Sequence, residues 1–354
     1  MRELIIEKAA VKHNLTVIRE HAGSAAIYGV LSGNGGGVGA AAMAALLRDA
    51  GIGRFAVTEV SEAEALRKAG FEDEEILMLR STTDREELER LVDLNVVCTV
   101  SSVDTGLALN ALAENRSTIA EAHIQVDTGM GYGGFLVGEP EKILLAYRSL
   151  PNVALSGIYT QLHAAGRGDE VSRQLEQFRQ VIDIVHEAGF ETGMVHAAGS
   201  FALLHDQDAI FDGVRAGSAI FGRCRRTGDD KLKTVGWGEA ALSEVRWLPK
   251  GHTVGSGKTI LLKRPTRVAV LPVGYQNGYG LERPRQTGFW AALLRWRKNR
   301  KRTVRLGDHR ARVLGPIGAA ETLLDVTDLK CAAGDVAMFE LDPLFAQGFE
   351  VKFR

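Results

Sequence analysis

Ala26-Ile27-Tyr28-Gly29-Val30-Leu31, running into Ser32-Gly33-Asn34-Gly35-Gly36-Gly37-Val38-Gly39, is the stretch on which the fold turns. A short apolar run with β-branched residues ends in a polar, glycine-dense loop. The same kind of run recurs at Phe55-Ala56-Val57, Ile76-Leu77-Met78-Leu79, Val96-Val97-Cys98-Thr99-Val100 and Ala122-His123-Ile124-Gln125-Val126. It recurs again at Gly157-Ile158-Tyr159-Thr160, Gly193-Met194-Val195-His196 and Ala209-Ile210-Phe211-Asp212-Gly213-Val214, which makes eight. Amphipathic segments such as Glu62–Lys68 and Leu175–Glu187 lie between them, so the chain reads as parallel strands with helical crossovers. Eight such units predict an α/β fold of the (β/α)8 TIM-barrel type.

After about residue 235 the rhythm changes to strand-like runs without long helices, at Thr266–Leu271, Arg310–Leu314 and Val336–Phe339. We therefore expect a barrel over 1–235, its first strand shared with a β-rich C-terminal domain over 236–354. A length of 354 residues favours two domains over one. Basic and acidic residues number 43 and 44, so no global field points to nucleic acid. The three cysteines, Cys98, Cys224 and Cys331, lack metal or redox-pair spacing and are expected as reduced thiols, with no metal site. Charges in Met1–Glu7 argue against a signal peptide, and no apolar run approaches about 18 residues, so a cytoplasmic chain is expected.

Barrel chemistry sits on the loops that follow the strands. Here those loops are Ser32–Gly39, Asp127–Gly134, Gln161-Leu162-His163, His196–Ser200 and Arg215-Ala216-Gly217-Ser218. Loops after strands seven and eight frequently hold phosphate, and the Ser200 hydroxyl with the backbone N–H groups of Gly217 and Ser218 offers donors there. The alternative is that the glycines only make tight turns.

These loops also carry a resemblance. Asp127-Thr128-Gly129-Met130-Gly131 resembles the DTGMGR motif of alanine racemases, and Phe55–Val57 with Glu62–Gly70 resembles that family's second-unit signature. Gly157–Thr160, Gln174–Phe178, Ala197–Ser200, Val214–Gly217 and Gly274-Tyr275-Gln276-Asn277-Gly278-Tyr279 follow in the family's order. The resemblance implies fold-type III pyridoxal 5'-phosphate chemistry and a head-to-tail homodimer. It also implies a Schiff-base lysine at the end of strand one, in a motif similar to VVKANAYGHG. Ser32 stands at that lysine and Gly36 at a phosphate-contacting tyrosine. The family's second base is a tyrosine in a V-x-Y-G motif, where this chain has Val254-Gly255-Ser256-Gly257.

Further departures fall on the same pocket. Tyr132 replaces the arginine after DTGMG, Gln125 a lysine, Gln161 a histidine, Gly318-Ala319-Ala320 the Cys-Met-Asp stretch, and Asn277 the GYADG aspartate. Arg215, implied to face the pyridine nitrogen, is kept with His196, Ser200, Gly217 and Ser218. No covalent cofactor is expected, while non-covalent pyridoxal phosphate or another phosphorylated ligand remains open. Three readings follow. The first is a pseudoenzyme binding a ligand or partner in amino-acid or cell-wall metabolism. The second is new chemistry on an amino-acid-like substrate by Tyr132, His163 or Asp127. The third is residual racemisation with Lys258 as a displaced cofactor lysine.

Between about 285 and 303 the chain carries an insertion with no acid between Glu282 and Asp308. On a helix Phe289, Leu293 and Trp296 share one face, apart from Arg295, Lys298 and Arg302, as in an interfacial helix. Phe289–Arg302 could serve as a docking surface on the protein's own dimer or a partner, or dock on an anionic membrane surface, which would make the protein peripheral. A nucleic-acid patch is the weaker alternative, and no nucleic acid is expected.

Overall fold

The computed structural model describes residues 1–163, 168–224, 231–255, 260–281 and 302–354, in two compact units: Ala9–Thr234, and Met1–Lys8 with Val235–Arg354. Ser256, Lys258 and almost all of the basic insertion lie outside the described residues.

After β1 (Arg2–Ile6), the first unit holds β2 (Ala26–Val30), β3 (Arg54–Val57), β4 (Glu75–Met78), β5 (Cys98–Val100) and β6 (Ala120–Asp127). A two-residue β7 (Phe135–Leu136), β8 (Val153–Thr160), β9 (Met194–Gly199) and β10 (Gly213–Ala216) follow. Leaving out β7, which pairs only with β6, eight parallel strands run in the order β4-β3-β2-β10-β9-β8-β6-β5. A parallel bridge between Leu77 and Val97 brings β4 to β5 and closes the ring. Strands covered on both faces read as unbroken apolar runs, as in Phe55–Val57, which is wholly buried. Tyr28, Ala56, Leu77 and Val97 form one inner cluster.

The eighth strand begins later than the apolar run predicts. Gln207–Ala209 is a short 3-10 turn, Phe211 packs edge-on against Phe178, and the Asp212 carboxylate accepts from the Val195 N–H at 2.9 Å. These contacts hold Phe211 and Asp212 outside the sheet, and the strand starts at Gly213.

The second unit is a nine-stranded sheet built on β1 with β11 (Trp237–Ala241), β12 (Glu244–Leu248), β15 (Thr266–Leu271), β16 (Thr303–Leu306), β17 (His309–Leu314), β18 (Thr322–Asp325), β19 (Val336–Phe339) and β20 (Glu350–Phe353). A small ribbon, β13 (Thr253–Val254) with β14 (Ile260–Leu261), stands apart. β1 pairs antiparallel with β11 and parallel with β20, so the first strand belongs to this sheet. Its buried Glu3 and Glu239 are paired to Lys352 at 2.5 Å and to Arg354 at 2.8 and 2.9 Å, which offsets the cost of burying them.

Candidate active site

The loop after β2 is wound the wrong way for ordinary residues. Gly33, Asn34, Gly35, Gly36 and Gly37 have φ of 68, 55, 64, 68 and 92°, a left-handed turn that glycine adopts without a Cβ penalty. Gly35 N–H donates to Leu31 O at 2.6 Å and Gly37 N–H to Gly33 O at 2.8 Å. The buried Glu62 carboxylate pins the turn, accepting from Asn34 N–H at 2.7 Å and from the Thr58 and Glu59 N–H groups at 3.0 and 3.1 Å. Ser32 opens this turn. A Cβ on Gly36 would meet the Phe221 ring at 2.5 Å. Gly36→Tyr, which restores the residue that the resemblance implies, is therefore expected to lower stability. Roughly 1–3 kcal/mol comes from the left-handed backbone and a similar amount from overpacking. Thermal melting checks this.

At the mouth of the barrel lies a cavity of about 340 Å³. Val30, Leu79, Leu162, Phe201 and Ala202 give it apolar walls; Gln161, Ser200, Arg215, Ser218 and the backbone of Gly199 and Gly217 supply polar groups. Arg215 is 3% exposed. Its guanidinium donates to His196 Nδ1 at 2.6 Å, to the carbonyls of Thr160, Ala197 and His196 at 2.7, 3.2 and 3.3 Å, and to Gln161 Oε1 at 3.1 Å. Every partner is neutral, and no carboxylate pairs with it among the described residues. Burial pushes it down to about 10, which leaves it a cation at neutral pH.

Arginine only donates, so His196 Nδ1 accepts and the His196 proton sits on Nε2. Nε2 in turn donates to His123 Nδ1 at 3.0 Å. His196 is stacked on Tyr159 with centroids 4.8 Å apart and on Tyr28 at 5.5 Å. Burial first, then the Arg215 charge, holds His196 well below the usual histidine range; burial pushes His123 down to about 4. Tyr28 donates to Glu75 beneath this stack. His123, Tyr28 and Tyr159 were not singled out from the sequence. The available signal was a polar or phenolic residue inside strands buried on both faces.

The donors expected after strands seven and eight are arranged differently from the expectation. Ser200 Oγ accepts from Gly217 N–H at 2.8 Å and from Ala219 N–H at 3.2 Å, so Ala219, not Ser218, completes the pair. With both lone pairs engaged, the Ser200 hydroxyl keeps its O–H as a donor.

The alternative catalytic candidates lie elsewhere. The Asp127 carboxylate accepts from Gly129 N–H at 2.8 Å and Gly131 N–H at 3.0 Å, which folds its own loop. Tyr132 is 69% exposed, and His163 faces Glu170 at 3.5 Å. None of the three lines the cavity. Gln161 braces Arg215; within the second unit, Asn277 accepts from Gly274 N–H and donates to Gln347 O. Cys98 is buried, and Cys224 and Cys331 are partly so. Among the described residues no group of three or more His, Cys, Asp or Glu is placed to hold a metal, and no helix is long and apolar enough to cross a membrane.

Comparison with known proteins agrees with this architecture. The alanine racemase N-terminal domain matches residues 6–224 and the alanine racemase C-terminal domain residues 237–343. Alanine racemase of Desulforamulus reducens is 30% identical over 91% of this chain and 84% of its own length; that of Sorangium cellulosum is 32% identical over 94% and 86%. The solved alanine racemase from the D-cycloserine producer Streptomyces lavendulae superposes with a TM-score of 0.85 at 21% identity, over 100% of this chain and 97% of that one. That from Bartonella henselae, which carries covalently bound pyridoxal phosphate, gives 0.83 at 22% identity, over 100% and 99%. On the two domains it matches and the relatives it shares them with, the chain belongs to the alanine racemase family.

Proposed function

We propose that this chain is a non-racemising member of its family that holds a small phosphorylated anion in the 340 Å³ cavity. The observation that carries this is Arg215, a cation 97% buried without a carboxylate partner among the described residues, beside a Ser200 hydroxyl whose O–H is left as a donor. Buried charge is costly unless paired, so an incoming anion supplies the missing partner. Arg215 supplies the charge, and the Ser200 O–H a neutral donor. The apolar walls lower the local dielectric and so strengthen both contacts.

Pyridoxal phosphate fits these residues in a non-covalent mode. Arg215, the Ser200 O–H and the Ser218 N–H are the groups that would hold it, and bound there it would supply an electron sink. The described residues do not fit the covalent mode, because no lysine among them lines the cavity. Two bases flanking the substrate carbon are needed for racemisation. Ser32 and Ser256 stand where the resemblance places a lysine and a tyrosine, and the described cavity offers no replacement. The same kinship is our ground for a head-to-tail homodimer. The sequence of Phe289–Arg302, outside the described residues, is our ground for a peripheral place on anionic membranes.

The test combines titration calorimetry with inorganic phosphate and pyridoxal phosphate, borohydride trapping, and alanine racemisation. Binding without a trapped adduct or turnover is the expected result. A trapped lysine together with turnover establishes a residual racemase instead. Ser32→Lys is expected to yield an adduct at residue 32 while racemisation stays at background. A missing second base alone costs about 10²- to 10⁴-fold.

A further inference from the structure

The β16–β17 hairpin carries three arginines on one face. In its antiparallel register Arg305 lies directly opposite Arg310, and Thr303 directly opposite Arg312. Side chains of directly opposed residues emerge on the same face, as do those of residues two apart. Arg305, Arg310 and Arg312 are all exposed, whereas Val304, Leu306, Ala311 and Val313 face inward and are buried.

Like charges directly opposite each other destabilise a sheet, and a neighbouring acid is the usual remedy. That remedy is only partial here. Asp325 is the strand partner of Arg312, but its carboxylate is engaged by Thr327 Oγ1 at 2.7 Å and lies 4.0 Å from Arg264. Glu239 feels the Arg305 charge but is held by Arg354, while Arg305 donates to Met338 Sδ at 3.1 Å. None of the three arginines forms an ion pair among the described residues. The hairpin thus keeps a repulsion between Arg305 and Arg310 that a single Arg→Gln change would remove.

We propose that this arginine face docks on the headgroup layer of an anionic lipid bilayer. The partner is chosen by charge complementarity with a strand surface rather than a cleft, and by a chain with no net basic excess that would favour nucleic acid. In the sequence Arg295, Arg297, Lys298, Arg300, Lys301 and Arg302 precede β16. The choice of partner rests on the membrane reading above, while the residues that carry it are different ones.

Flotation of the full chain with vesicles of phosphatidylglycerol and vesicles of phosphatidylcholine tests this. Wild type is expected to bind the first and not the second, and less so as salt rises. The variant R305Q/R310Q/R312Q, with residues 289–302 intact, is expected to lose about a hundred-fold in partitioning, roughly five-fold per arginine. Its melting temperature is expected to rise, because the repulsion is gone. Unchanged binding by this variant, alongside loss of binding on deleting 289–302, overturns the hairpin's role and leaves the membrane reading standing. Wild type that ignores anionic vesicles, or prefers duplex DNA to them, overturns both.

Discussion

Arg215→Met is expected to weaken binding of inorganic phosphate and of pyridoxal phosphate by roughly 30- to 3000-fold, since removing one side of a buried charged contact costs about 2–5 kcal/mol and 1.4 kcal/mol is tenfold. The effect is large because, among the described residues, Arg215 is the only cation lining the cavity. Removing it also takes the donors from the carbonyls of Thr160, His196 and Ala197 and from His196 Nδ1. Melting is therefore recorded beside calorimetry, and a second variant separates charge from fold. Arg215→Lys keeps a cation but loses the planar fork that reaches four barrel residues at once, so a loss of about tenfold is expected. Equal affinity in wild type and Arg215→Met would falsify the anion site outright, whatever happens to stability.

The barrel was legible because its strands are buried on both faces, which writes an apolar run into the sequence at each turn of the βα unit. Tyr28, Phe55 and Val214 each sit in such a run and in the observed sheet. The eighth strand was misplaced for a related reason. Ile210 and Phe211 are apolar, yet Phe211 is used against Phe178 and Arg179 outside the sheet, and composition does not tell those uses apart. At the site, Arg215, His196 and Ser200 were visible as polar residues at strand ends, where barrel chemistry gathers. What pattern could not show was direction. Asp127 has the right chemistry for a base but turns back onto Gly129 and Gly131, and the glycines after β2 encode a left-handed turn. The link from His196 to His123 joins strands 73 positions apart, a pairing that only the closed barrel creates.

That link also sets how the protein answers to acid. In an unfolded chain a histidine titrates near 6.5, whereas burial pushes His123 in the barrel down to about 4. At pH 7 both forms are neutral and His123 contributes no pH dependence. As pH falls below 6.5 the unfolded chain binds a proton that the folded chain refuses, so stability drops by about 1.4 kcal/mol per unit. Across the window from 6.5 to 4 this amounts to about 3 kcal/mol from His123, and His196, lowered in the same direction, adds to it. Glu87, held down to about 2 chiefly by its hydrogen bond to Arg80, loses its contribution only as pH falls below the ordinary carboxylate range, so the two effects separate. Urea unfolding at pH 7 and at pH 4.5 is expected to show the loss, and His123→Asn is expected to flatten it. A wild-type stability that stays level through this window would mean that the ring takes up its proton in the barrel at the same pH as in the unfolded chain, and that the buried link from His196 Nε2 to His123 Nδ1 does not hold it neutral.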